Sequence, residues 1–126
     1  MIFELSSSKT LDQIGQGLQE SSARHKFGVI AVHDLKETMK KKGVDFAGEC
    51  VIYEVCNPHQ AKKVLEANGA VSTALPCRIS VYRSGDVYKL ATILPTAIMQ
   101  MFKTPELEPV AREVEEVVTA MMRESA

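Results

Sequence analysis

The chain has 126 residues, of which 45% are hydrophobic, enough for one domain whose core needs neither a disulfide nor a structural metal. Fifteen Lys and Arg against sixteen Asp and Glu leave a formal net charge of −1. This balance excludes nucleic acid as an expected partner, because neutralising phosphates requires a basic surface.

Apolar runs are far shorter than the ~20 residues of a membrane span, and the first residues show no pattern of an export signal. The chain contains three cysteines, an odd number. In a domain with a sufficient core, these features predict a cytoplasmic protein with free thiols that does not associate with a membrane.

The first half of the chain predicts two strands, each followed by a helix. A strand over 1–6 precedes a helix over 10–25, which begins with a capping box of Thr10 and Gln13. The apolar, β-branched residues 27–32 predict a second strand that His33 closes, and Asp34 is then the N-cap of a short helix that ends at Gly43.

Two glycines, Gly15 and Gly17, lie inside the first predicted helix. No Gly-rich phosphate loop follows a strand here, so this pair indicates close packing of the helix against a neighbour.

The second half predicts three strands and three helices. The third strand, 50–56, leads into a helix to residue 67 with Asn57 at the N-cap, Pro58 at N1 and Gln60 at N3. The remaining segments are a strand hairpin of 77–83 and 87–93, a short helix from Pro95 to Phe102, and a last helix beginning at Thr104-Pro105.

The last helix carries an apolar stripe at spacings of three and four residues, which must cover either the sheet or a partner subunit. The hairpin is antiparallel, and no nucleotide-binding loop is present. We therefore expect a single α+β domain over 1–126, with a mainly antiparallel sheet and helices packed on one face. The other face is left to solvent or to a dimer.

The cysteines are the most distinctive functional groups. Even spacing places Cys50, Glu54 and Cys56 on one face of the third strand. Six steps of ~3.3 Å separate the two cysteines by about 20 Å, beyond the ~7 Å limit for a disulfide.

Cys56 lies immediately before the helix that Asn57 caps. Exposed N–H groups at a helix start stabilise a thiolate, so we expect a lowered pKa for Cys56. His59 lies in the first turn, and Cys77 begins a strand that could lie beside Cys56. These three residues are weak candidate metal ligands, one fewer than a closed zinc site requires.

Packing is the competing interpretation, since free cysteines are often buried and Cys77 alternates with Ile79 and Val81. Glu54 interrupts an apolar strand. It faces solvent, or it pairs with a cation such as Arg78 or His59.

The segments Glu49–Ala61, Leu75–Tyr82 and Ile93–Pro95 give the chain a family resemblance. A Cys-Asn-Pro segment opens a helix, a Leu-Pro-Cys segment opens the next strand, and a proline follows the hairpin. In this the chain resembles the domain of unknown function family 302. The likeness covers residues 1–102, so the final helix over 103–126 looks like an addition.

The resemblance implies a compact α+β fold, similar in topology to a half of TATA-binding protein, that assembles as a homodimer. It implies no activity, but it supports the pairing of Cys56 with Cys77 in a shared pocket. Our leading hypothesis is a small soluble binding domain for an anion or a metal. Its candidate pocket residues are Cys56, Asn57, His59, Cys77, Arg78 and Glu54.

Two alternatives stay open. The first is a thiol redox protein or thiol-dependent enzyme, in which Cys56 attacks and Cys77 resolves. The second is a structural protein with inert thiols, in which the last helix serves assembly. No cofactor, substrate or catalytic residue is assigned.

Overall fold

A computed structural model describes all 126 residues. The chain forms five strands and five helices, and two 3₁₀ turns, Gly69–Ala74 and Pro105–Leu107, lie in the second half. The strands are β1 Ile2–Ser7, β2 Gly28–Asp34, β3 Cys50–Cys56, β4 Cys77–Ser84 and β5 Val87–Ile93. The helices are α1 Leu11–Arg24, α2 Leu35–Lys41, α3 Pro58–Ala67, α4 Pro95–Gln100 and α5 Glu108–Ser125.

All strands form one sheet in the order β1-β5-β4-β3-β2, and every neighbouring pair is antiparallel. The α+β class and the antiparallel sheet are thus confirmed. β2 runs through His33 to Asp34 because both residues pair with β3, and Asp34 still caps α2 by accepting a hydrogen bond from the N–H of Glu37 at 3.1 Å.

The last helix begins later than the sequence pattern predicts. Thr104-Pro105 opens a 3₁₀ turn, and α5 starts at Glu108 with Pro109 in its first turn. A helix from residue 105 would place Pro109 in its interior, where the missing N–H and the ring disrupt the preceding turn.

Helices α1 and α5 cover one face of the sheet. Their side chains Leu18, Val118 and Met121 are fully buried with strand residues such as Val55 and Ile79. The apolar stripe of α5 therefore packs against its own chain, with Val118, Met121 and Met122 buried and Val110, Val114 and Val117 partly buried, which weakens the hypothesis that it serves assembly.

The two glycines of α1 are places of close approach, as their pattern predicts. A Cβ on Gly15 would collide with the hydroxyl of Tyr53, and a Cβ on Gly17 would lie 3.2 Å from the Cβ of Ser125. Both positions let α1 lie close to its neighbours.

A second, smaller cluster lies beside the sheet, where α3, the first 3₁₀ turn, α4 and the start of α5 meet. Its buried residues are Val64, Val71 and Leu107, with Met99 and Val110 packed against them. Between this cluster and the main core lies the candidate site. None of the helices has the length and apolar character that crossing a bilayer requires.

Candidate functional site

Cys56 and Cys77 line the same cavity. Val55 of β3 pairs with Cys77 of β4, which places Cys56 one residue further along, at the end of β3 where the chain turns into α3. The cavity has a volume of about 50 Å³ and is partly open to solvent. Residues from β3, β4, α3, α4 and α5 form its wall.

The cavity wall is almost entirely apolar. Val64 of α3, Met99 of α4 and Val110 of α5 face it. Only Asn57 and Gln60 contribute side chains with a nitrogen or an oxygen. The polar character of the site therefore depends on these two amides and the two thiols.

Asn57 is occupied by the local structure of the helix start. Its Oδ1 accepts hydrogen bonds from the backbone N–H groups of His59 at 2.9 Å and Gln60 at 3.2 Å, and its Nδ2 donates to the carbonyl oxygen of Lys26 at 3.4 Å. These contacts satisfy the helix start internally.

Only one of the two polar groups of the Gln60 side chain has a hydrogen-bond partner. Its Nε2 donates to Oε2 of Glu113 on α5 at 3.1 Å, which fixes the orientation of the amide. Its Oε1 is buried and accepts no hydrogen bond from any protein group, and no other buried side-chain nitrogen or oxygen lacks a partner. A buried acceptor in this state costs about 1–3 kcal/mol.

Both thiols are held in the neutral form. Burial raises the pKa of Cys56 above its ordinary value. Burial, together with the proximity of Cys56, raises the pKa of Cys77 to about 11. The predicted lowering of the Cys56 pKa is therefore wrong, because the thiol lies against an apolar wall while Asn57 takes up the nearest helix-start N–H groups.

The other predicted pocket residues lie elsewhere. His59 is exposed and does not line the cavity. Glu54 pairs with His33 of β2, a partner that sequence reasoning did not consider. Arg78 lies on the sheet face opposite α1 and α5, in a separate groove. The structure thus joins Cys56, Asn57 and Cys77 and leaves His59, Arg78 and Glu54 outside.

The candidate metal ligands do not form a centre. No group of three or more His, Cys, Asp or Glu side chains is arranged to hold a metal ion. His59 therefore does not complete a site with the two thiols.

Sequence reasoning missed the role of Gln60. Its position three residues after Asn57 is fully explained by the helix start, and nothing local shows that its oxygen is buried. That burial depends on α5, which lies 53 positions further along the chain at Glu113.

The comparisons with known proteins identify the family. A family model described as "Domain of unknown function DUF302" matches residues 3–125. The chain belongs to this family. The resemblance deduced from the two motifs is confirmed, and the match extends beyond residue 102 through the final helix. The family name carries no activity.

A solved structure with the same fold supports the assignment. The chain is similar to a crystal structure of an uncharacterised conserved protein of the same family from Bacillus stearothermophilus, with 30% sequence identity and a TM-score of 0.93. The alignment covers 99% of this chain and 98% of the other. No curated protein matches this chain.

Proposed function

We propose that the chain is a binding domain that takes a small, mainly apolar ligand group with one N–H or O–H donor into the Cys56–Cys77 cavity. The observation that carries the proposal is the buried Oε1 of Gln60, which has no protein donor. A ligand that donates to this oxygen would remove the cost of leaving it unpaired.

The size of the cavity limits the ligand group. Its volume of about 50 Å³ exceeds the ~10–15 Å³ needed for one water and is well below the ~150 Å³ of a cavity that accepts benzene. A group of roughly two to four heavy atoms fits, and the partly open wall lets a larger molecule continue outward.

Cys56 marks the route of entry. Besides facing the cavity, it lines a shallow depression on the protein surface next to Lys62 and Leu65 of α3. Ala61 also lines both the depression and the cavity, so a ligand in this depression would lie next to the cavity that Gln60 lines.

The neutral thiols favour binding over redox chemistry. Attack on a disulfide or an electrophile requires a thiolate, and the pKa values of both Cys56 and Cys77 are shifted upward. The neutral S–H groups are weak hydrogen-bond donors, so each can donate to an acceptor atom of the ligand. An anion is disfavoured, because Asn57 occupies N–H groups of the helix start and no cationic residue lines the cavity.

Propan-1-ol is a suitable probe, since it combines one O–H donor with a three-carbon apolar chain. The ε-methyl NMR signal of Met99 reports from the cavity wall, and that of Met101, which is 70% exposed, serves as an internal control. As propan-1-ol is added, we expect the Met99 signal to shift until it saturates and the Met101 signal to stay unchanged.

Gln60→Met keeps the shape of the side chain and removes the acceptor. We expect propan-1-ol to bind this variant about fivefold more weakly, as the loss of one neutral hydrogen bond of about 1 kcal/mol implies. Gln19→Met, at an exposed position of α1, should bind like the wild type. Equal affinity in Gln60→Met and the wild type would contradict the proposal.

Homodimer assembly stays a prediction from the resemblance. Sedimentation velocity at tens of micromolar tests it: a single species at twice the chain mass of 13.9 kDa is expected, and a monomer would contradict it.

A further inference from the structure

The sheet face opposite α1 and α5 carries a second concavity, here called the open-face groove. It has a volume of about 260 Å³. Its walls are formed by Ile2 of β1, Ile52 of β3, Ile93 of β5 and Ile98 of α4, and Ala91 of β5 also lines it. The groove is separate from the Cys56–Cys77 cavity, although Pro76 and Cys77 border both.

Arg78 is the one charged side chain that lines this groove. It is exposed, and its guanidinium takes part in none of the ion pairs, side-chain hydrogen bonds or cation–π contacts of the molecule, although its backbone oxygen accepts from Thr92.

The nearby acidic groups already have partners. Glu54, which lies opposite Arg78 in the β3–β4 register, is paired with His33. Glu4 of β1 accepts a hydrogen bond from Tyr82 and lies 3.4 Å from Nζ of Lys89. Arg78 is therefore a cation among isoleucines with no counter-charge of its own.

We propose that the open-face groove binds a monocarboxylate with a medium-length apolar chain. The guanidinium of Arg78 would receive the carboxylate through two parallel N–H···O bonds. The chain would lie along the isoleucines and over Ala91, whose small side chain leaves room above the sheet. The charge of Arg78 accounts for the carboxylate of the ligand, and the isoleucines of the groove walls account for its apolar chain.

The size of the groove agrees with a chain of about eight carbons. If ~150 Å³ holds the six heavy atoms of benzene, the volume of about 260 Å³ corresponds to roughly ten heavy atoms. Octanoate has that number, which makes it the probe of choice.

Calorimetric titration with sodium octanoate tests the proposal. We expect saturable binding at one site per chain, and at least tenfold weaker binding to Arg78→Gln, since charge-assisted hydrogen bonds contribute more than neutral ones. Arg78→Lys should fall between the two, because it keeps the charge and loses the planar fork. Acetate, which lacks the apolar chain, should bind far more weakly than octanoate.

Two control variants show whether octanoate binds in this groove or elsewhere on the chain. Arg112→Gln makes the same change of charge on the exposed surface of α5, outside the groove, and should bind octanoate like the wild type. Gln60→Met should also bind normally, which distinguishes failure at this groove from failure at the Cys56–Cys77 cavity.

Equal octanoate affinity in the wild type and Arg78→Gln would overturn the proposal. It would also be overturned if the wild type failed to bind octanoate and instead formed a dimer that Arg78→Gln dissociates. In that case a second copy of the chain occupies the groove.

Discussion

The core beneath α1 and α5 and the cavity between Cys56 and Cys77 lie in the same small domain but are built differently. In the core, Leu18, Ile79 and Met121 are fully buried, and Gly15 allows the helix to touch Tyr53. At the cavity, similar apolar side chains leave a space of about 50 Å³. The first region is packed for stability, whereas the second leaves room.

Polar groups show the same contrast. In the core region, the hydroxyl of Ser21 donates to Glu124 at 2.7 Å and that of Ser125 to the carbonyl oxygen of Met121 at 2.7 Å. At the cavity, Oε1 of Gln60 is buried without a protein partner. Departures from full packing and full hydrogen bonding are characteristic of functional sites, which is why we propose the cavity as the binding site.

The largest expected effect on stability comes from shortening one buried side chain in the core and comparing it with a side chain at the cavity. Leu18→Ala should lower the free energy of unfolding by about 3 kcal/mol, because it opens a cavity in a close-packed core. Met99→Ala, at a half-buried position that already borders a space, should cost only about 1–2 kcal/mol. Urea unfolding of both variants measures the difference, and equal costs would remove the distinction between the regions.

A smaller loss of stability is expected from adding a side chain where α1 lies closest to the sheet. Gly15→Ala should lower the free energy of unfolding by about 1–2 kcal/mol, because the new Cβ meets the hydroxyl of Tyr53 and overpacking outweighs the better helix propensity of Ala. In a Tyr53→Phe background the same change should cost much less. An identical cost in both backgrounds would show that the contact is unimportant.

The ion cluster that joins α1 to α5 predicts a pH dependence. Glu124 accepts from Ser21 and pairs with Arg24 and His25, each at 3.0 Å. Hydrogen bonds from Ser21, His25 and Arg24 lower its pKa from 4.5 to about 2. The stabilisation is therefore present above pH 4.5 and is lost as the pH falls towards 2.

Urea unfolding between pH 7 and pH 3 checks this expectation. Glu124→Gln should be less stable than the wild type at pH 7, and the difference should shrink as the pH falls below 4.5. Glu116→Gln, at an exposed position of the same helix, serves as the control. A difference that does not change with pH would contradict the role of the carboxylate.

The smallest effect concerns the reactivity of the cavity thiols. At pH 7.5, alkylation by iodoacetamide followed by peptide mass spectrometry should modify Cys77 slowest, because burial raises its pKa to about 11. Cys56 should react more slowly than in the unfolded chain, because burial also raises its pKa. Alkylation of Cys56 in the native protein that is as fast as in the unfolded chain, or faster, would instead favour thiolate chemistry.

Features set by neighbouring residues were predictable from the sequence. The capping box of Thr10 and the N-cap of Asn57 depend on contacts within four residues, and α1 and α3 begin where these signals place them. The start of α5 was predicted too early because Thr104-Pro105 gives a valid local signal that Pro109 overrides.

Features that depend on strand register or helix packing were not predictable. His33 reaches Glu54 because β2 lies beside β3 with a register irregularity between Val29 and Ala31, and a single strand sequence does not show its neighbour. Cys56 and Cys77, the two cysteines of the motifs, both line one cavity in the structure. Gln60 was not recognised, because its buried oxygen depends on the distant helix α5.

The most direct test of the account is the stability of Gln60→Met without any ligand. If the amide oxygen of Gln60 is retained for binding at the expense of stability, replacing it with an apolar side chain should raise the free energy of unfolding by about 1 kcal/mol, because the relief of an unpaired buried acceptor exceeds the loss of the exposed hydrogen bond to Glu113. Gln19→Met should remain within about 0.5 kcal/mol of the wild type. A destabilised Gln60→Met would contradict the account, since Gln60 would then contribute to the fold.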